Sequence, residues 1–115
     1  MIGQDPLDLG GQVAFVTGAG QGAGRAIALA LARHNAGGVA VNDFEPARAE
    51  AVAEEIRQMG VPASAAPADV GDHGAVETAL SSAGKALGPI TILVNNAGIG
   101  GPSATIGFSP QFWET

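Results

Sequence analysis

The sequence predicts an α/β domain, a parallel sheet with helices packed against it. Three observations carry the prediction. Short apolar runs alternate with Ala- and Leu-rich helical patterns along the 115 residues. The runs are apolar at consecutive positions, as strands covered on both faces are. Glycine, asparagine and aspartate collect just after the runs, at the strand ends where open α/β sheets bind ligands.

Each element follows from its residues. Val13 to Val16 is a short apolar run bounded by glycines and reads as a buried strand. Gln21 to about His34 suits a helix, with Arg33 and His34 in a last turn where positive charge favours the dipole. Asn35 and Gly37 stop it, and Val39 to Val41 is a second strand. Pro46 fits the first turn of a second helix, where its missing N–H costs little. Val52, Ile56 and Met59 recur there at core-facing spacing, and Glu50, Glu54, Glu55 and Arg57 face solvent. Gly60 ends that helix, and Pro62 to Ala66 is a weak third strand of small residues. Asp72 caps a third helix, whose Val76, Leu80, Ala83 and Leu87 share one face. Gly88-Pro89 breaks it, Ile90 to Val94 is a fourth strand, and Ser109-Pro110 starts a fourth helix.

Composition narrows the function. A chain of this length is one domain, residues 1–115, able to bury on the order of two-thirds of its unfolded surface. Apolar residues make up 46% of it, but only four Phe and one Trp are present, so the core is built from Ala, Val, Ile and Leu. The net charge is -6 and no Lys/Arg cluster occurs, which argues against nucleic acid and anionic lipid as partners. With no cysteine there is no disulfide framework and no thiolate metal site. His34 and His73 lack a carboxylate or second histidine at ligand spacing, so no metal is expected. The start MIGQDPLDLG lacks a signal-peptide pattern, and no apolar run approaches the roughly 20 residues that span a bilayer. The expected location is the cytoplasm.

Four features carry chemistry. The first is VTGAGQGAG, Val16 to Gly24, between strand and helix. Unpaired N–H groups at a helix N-terminus stabilise a pyrophosphate, and glycines let the backbone approach it. Gly18, Gly20 and Ala23 fit G-x-G-x-x-A, while Thr17, Gly18, Gly22 and Gly24 fit T-G-x-x-x-G-x-G; spacing leaves both open. Gly24-Arg25-Ala26 lacks the Gly-Lys-Ser/Thr of a P-loop. The plainer alternative is a turn that only packs. The second feature is Asp43, ending VAVND, which can accept from the adenosine ribose hydroxyls and would repel a 2′-phosphate. No arginine adjoins it, and Gln21 stands in the glycine turn where a basic residue would meet that phosphate. The third is Asp69-Val70, past the third strand; if Asp72 caps the helix, Asp69 is left for an adenine amine. The fourth is NNAG, Asn95 to Gly98, a loop with hydrogen-bonding groups and room for close approach, or otherwise a turn.

All four features in this order resemble the N-terminal half of the short-chain dehydrogenase/reductase family, from about Gly11 to Trp113. The resemblance implies a Rossmann-type doubly wound sheet with strand order 3-2-1-4, three helices and a site for NAD, preferred here over NADP. It implies that Gly18, Gln21, Gly22 and Ala23 line the phosphates, that Asp43 binds the ribose, and that Phe44 lies beside the adenine. Asp69 and Val70 would contact adenine, and Asn95, Ala97 and Gly98 would run toward the nicotinamide. Asn96 would brace the sheet. The implied reaction is hydride transfer between a small-molecule secondary alcohol and a carbonyl.

The sequence also departs from that family. Its catalytic Ser and Tyr-x-x-x-Lys lie beyond the fourth strand, whereas this sequence has no Tyr and its only Lys is Lys85, in the third helix. Ser103 and Ser109 follow no fifth strand. The 115 residues are therefore expected to hold a cofactor cradle without the catalytic half, to be inactive alone, and to self-associate through an exposed fourth-strand edge. Two other readings stand beside this one. A methyltransferase would use Asp43 and Asp69 on S-adenosylmethionine, but NNAG does not suit its fourth-strand motif. A non-catalytic nucleotide-binding or interaction module is the other.

Overall fold

The computed structural model describes residues 8–96. Four parallel strands form one sheet: β1 (Val13–Val16), β2 (Gly38–Val41), β3 (Ala63–Ala65) and β4 (Ile90–Val94), in the order β3-β2-β1-β4. Helices α1 (Gly22–Arg33), α2 (Pro46–Gln58) and α3 (His73–Leu87) connect them in turn. The two interior strands are buried at every residue, which accounts for their unbroken apolar sequence.

Successive strands step outward from β1 to β2 to β3, and then α3 carries the chain back past β1 to β4. Right-handed crossovers put helices from the two directions of travel on opposite faces. On one face Val16, Val39 and Val41 pack with Ala28 and Leu29 of α1 and Val52, Ala53 and Ile56 of α2. On the other, Phe15 and Ala40 meet Ala79 and Ala83 of α3. Phe15 and Val16 serve different cores because neighbouring strand residues point to opposite faces.

The helix ends match their chemistry. Asn35, with φ 67°, is the only non-glycine left-handed residue described and follows α1. Gly60 takes φ 89° after α2. The Asp72 carboxylate accepts the Ala75 N–H at 3.1 Å and caps α3.

Two core expectations need correction. Met59 lies beyond the last turn of α2 and is 41% exposed. In α3 the deepest residues are Ala79 and Ala83, with Val76, Leu80 and Leu87 only half-buried. The small residues Ala40 and Ala66 on that face let the helix settle on its alanines. β4 also alternates between half-buried and exposed residues, because it is an edge of the described sheet; Leu93 is 54% exposed. The expected helix at Ser109-Pro110 lies outside the described residues.

Gly24 sets how closely α1 approaches β1 and β4. A Cβ there would fall on the Gly18 carbonyl oxygen and come within 2.6 Å of Asn96 Nδ2. Gly84, inside α3, has nothing within 4 Å of an added Cβ. Gly24→Ala is therefore expected to destabilise the fold by about 1–3 kcal/mol through overpacking. Gly84→Ala is expected to stabilise it by about 0.5–1 kcal/mol, because alanine leaves less chain entropy to lose. Denaturant melts of the two variants compare them directly, and equal destabilisation by both would show that space at Gly24 is not the constraint.

Candidate functional site

The turn between β1 and α1 is made almost wholly of backbone. Gly18 and Gly22 have φ +61°, a region that side chains disfavour. Gln21 occupies the N-cap of α1 but makes no side-chain capping bond, and no acidic residue stands in the first turn. The first intrahelical bond described there is from Arg25 N to Gln21 O, 3.2 Å. The amides of Gly22, Ala23 and Gly24 therefore point out of the helix end without a side-chain acceptor among the described residues, at its positive pole.

One buried side chain ties this turn to its neighbours, and sequence reasoning passed over it. Asn42, directly after β2, is 1% exposed. Its Oδ1 accepts the Gly18 N–H at 3.2 Å, and its Nδ2 donates to Ala66 O at 2.8 Å and Ala68 O at 3.2 Å. Its carbonyl accepts from Ala19 N at 2.6 Å. The signal was available in VAVND, where a carboxamide extends an apolar run and must find partners if buried.

A second brace comes from β4. Thr17 Oγ1 donates to Val94 O at 3.3 Å and accepts from Asn96 N at 2.8 Å. Asn96 Nδ2 donates to Gly18 O at 3.3 Å. Asn96 thus links β4 to the glycine turn, while Asn95 stands exposed at the same edge. Ala97 and Gly98 lie outside the described residues.

The acidic residues divide. Asp43 is buried, and its Oδ2 accepts from Glu45 N at 2.9 Å and from Arg48 Nε at 3.0 Å. No second bond is described to its Oδ1, which stays available as an acceptor. The expectation of an Asp43 without an adjoining arginine is corrected here: α2 begins two residues after Phe44 and turns Arg48 back over it. Gly20 makes room for that pair, since a Cβ there would meet Asp43 Cγ at 2.7 Å and Arg48 Cβ at 2.8 Å. Phe44 is 69% exposed beside it. Asp69 is exposed, but it is not wholly left for a ligand: its Oδ1 accepts the Gly71 N–H at 2.9 Å in the turn before α3. Val70 is half-buried in that turn.

Arg25, next to the glycine turn, is committed elsewhere. Its Nε and Nη2 bind both oxygens of Glu55 on α2, at 2.9 and 2.5 Å. This pair draws the Glu55 carboxyl below its usual range and raises the Arg25 guanidinium, chiefly through the hydrogen bonds. Whatever stability it gives is present at neutral pH and lost as acid protonates Glu55.

Glycine turn, Asp43, the Asp69 turn and Asn95 thus line up along the carboxyl ends of all four strands. The crevice between β1 and β4, where the order of strands reverses, is the place at which such sheets take ligands. Among the described residues no helix is long and apolar enough to cross a membrane.

Comparison with known proteins agrees with this layout. The family model described as short chain dehydrogenase matches residues 12–115. The 2,3-dihydro-2,3-dihydroxybenzoate dehydrogenase of Bacillus subtilis (strain 168) is 40% identical over 104 residues, which are 90% of this chain and 40% of that protein. Among solved structures, a 7α-hydroxysteroid dehydrogenase complexed with NADH and 7-oxo glycochenodeoxycholic acid aligns with TM-score 0.81 at 40% identity, over 89% of this chain and 40% of that one. A gluconate 5-dehydrogenase from Burkholderia cenocepacia J2315, in complex with NADP and tartrate, aligns with TM-score 0.76 at 35% identity, over 96% and 43%. The chain spans about two-fifths of the length of these relatives. With the sheet order, the glycine turn and the matched family model in agreement, the chain belongs to the short chain dehydrogenase family.

Proposed function

We propose that residues 1–115 are a dinucleotide-binding domain, the NAD(H)-binding part of an oxidoreductase that interconverts a secondary alcohol and a carbonyl. The observation that carries this reading is the pairing of an uncapped α1 N-terminus with a buried carboxylate, Asp43, whose Oδ1 is open. Gly18, Gln21, Gly22 and Ala23 hold the phosphates, because this stretch offers amides and little bulk. Asp43 accepts from the ribose, with exposed Phe44 beside the adenine. Asp69, through the oxygen not used by Gly71, and Val70 flank the adenine. Asn95 continues toward the nicotinamide, and the same role is assigned from the sequence to Ala97 and Gly98, which lie outside the described residues. The nicotinamide, when bound, supplies the hydride chemistry; these residues bind and orient it. The full-length protein would work in the cytoplasm on a small-molecule alcohol or carbonyl.

The relatives include one solved with NADH and one with NADP, so the choice between cofactors rests on this chain's own charges. Asp43 and the neighbouring Glu45 oppose a 2′-phosphate, and Arg48 is the only cation described against Asp43. NAD is therefore expected to bind more tightly than NADP. Calorimetry with both cofactors checks this, and NADP binding as tight as NAD would reject it. Asp43→Ala should weaken NAD by on the order of tenfold to a hundredfold, the worth of a hydrogen bond to a charged group. A variant that keeps full NAD preference would remove Asp43 from the site.

Reduction of a carbonyl also needs a proton donor poised near neutral pH. The 115 residues contain no Tyr. Lys85 is in the last turn of α3, and α3 runs back from the carboxyl ends of the strands, so Lys85 sits at the opposite end of the sheet. The purified 115-residue chain is expected to bind cofactor without measurable turnover, followed as NADH absorbance with secondary alcohols and ketones. Turnover that survives removal of contaminating enzyme would require another acid.

The edge of β4 supports a further expectation. Leu93 is exposed beside the strand's outer hydrogen-bonding groups, and such edges pair with other chains. The 115-residue chain should self-associate in sedimentation velocity, and Leu93→Lys should shift it toward monomer. A monodisperse wild-type monomer with a cooperative melt would contradict this.

A further inference from the structure

β3 is the other edge of the described sheet. Its residues are Ala63, Ser64 and Ala65, and side chains this small do little to shield an edge backbone from another strand. The ladder to β2 shows which groups face outward. Val39 N donates to Pro62 O at 3.0 Å, and Ala66 N donates to Val41 O at 2.8 Å. With Val39 opposite Ala63 and Val41 opposite Ala65, the even-numbered residues of this stretch turn their backbone groups toward β2. Residues 61, 63, 65 and 67 are therefore the ones a further strand would meet. Val61 spends its N–H on Ile56 O at 3.4 Å, and Pro67 has no N–H to offer. Ala63 has its carbonyl taken by Arg57 Nε at 3.0 Å. Ala65 alone keeps both groups, with no partner among the described residues. Arg57 reaches the edge because the chain reverses tightly at Gly60, whose φ is 89° and whose N–H donates to Arg57 O at 2.9 Å. That turn lays β3 beside the last turn of α2, where the charge of Arg57 also suits the helix dipole. Arg57 Nη1 donates to Glu50 Oε2 at 2.6 Å and to Glu54 Oε1 at 3.0 Å. All three side chains lie at the surface, where such pairs add little stability. What the two carboxylates do is hold the guanidinium against the strand.

We propose that Arg57, held by Glu50 and Glu54, guards the β3 edge against pairing with a strand from a second copy of this chain. A strand adding to β3 needs at least two successive outward residues to start a ladder, and it finds only Ala65 complete. To gain Ala63 it must remove a charged donor from the carbonyl and set its own backbone against three charged side chains. Without Arg57, Ala63 and Ala65 would together present two N–H and two C=O groups on a flat strand of small residues. The two edges are thus unequal, and edge pairing by this chain is confined to β4. The inference is independent of the dinucleotide reading of the site.

Sedimentation velocity over a series of concentrations tests this on four forms of the purified chain: wild type, Arg57→Ala, Ala65→Pro and the double variant, each melted in parallel. Proline at position 65 removes the last outward N–H and takes no bond from the ladder to β2. Wild type and Ala65→Pro are expected to sediment alike, because the guarded edge is unused. Arg57→Ala is expected to form larger species as concentration rises, and adding Ala65→Pro to it should restore the wild-type profile. That rescue separates edge pairing from aggregation of a weakened fold, which a proline in β3 would not cure. Arg57→Ala that sediments as wild type does overturns the proposal. So do larger species that persist in the double variant, and so does an Ala65→Pro change that dissociates wild type, since the edge would then pair with Arg57 in place. If Arg57→Ala does not melt cooperatively, Arg57→Met, which keeps the stem and lacks the donors, takes its place with the same outcomes.

Discussion

The geometry of the site depends on one buried carboxamide. Asn42 receives a backbone amide from the turn after β1 and gives its two protons to carbonyls just past β3. It therefore fixes the glycine turn and the segment leading to Asp69 relative to each other. The bond to Ala66 O is buried, and that carbonyl would cost about 1–3 kcal/mol if left unpaired; the other two are part-buried. No other residue type of this size offers one acceptor and two donors on a planar group. An aspartate there would replace the donors with charge and face two carbonyl oxygens.

Around that point the structure is layered by electrostatics. The α1 N-terminus presents positive amides, and the chain supplies no acid in the first turn to neutralise them. Arg25 leaves that region by binding Glu55 across to α2, which also clamps the two helices that share a face of the sheet. The one carboxylate brought close in a buried setting is Asp43, and it is itself partly balanced by Arg48. Positive amides and a half-balanced acid occupy adjacent strand ends.

Most of the fold was legible because the apolar runs are uninterrupted where the strands are interior. Val13–Val16 and Val39–Val41 are buried throughout, and Asp72 caps α3 as its position suggested. The strand order came from the family resemblance, and the structure has that order. What escaped the sequence depends on contacts across elements. Arg48 is five residues from Asp43, but only the turn into α2 brings its guanidinium onto the carboxylate. Asp69 was read as free because its claim on Gly71 depends on the dihedral angles of the turn. Asn42 looked like part of a strand end, and nothing local says that it meets Gly18 and Ala66. Met59 kept the helical period of its sequence after the helix had ended.

The bond between Asn96 and Thr17 joins residues 79 positions apart, and β1 lies between β2 and β4 in the sheet. During synthesis, β1, α1, β2, α2 and β3 all leave the ribosome before the strand that completes the brace on the glycine turn. The loop that this contact closes spans nearly all of the described chain, so its entropy must be lost before any of its bonds is gained. The binding turn is encoded early in the chain and made rigid late. A nascent chain that has passed Gly24 carries the residues of the glycine turn without yet having the bonds that brace it.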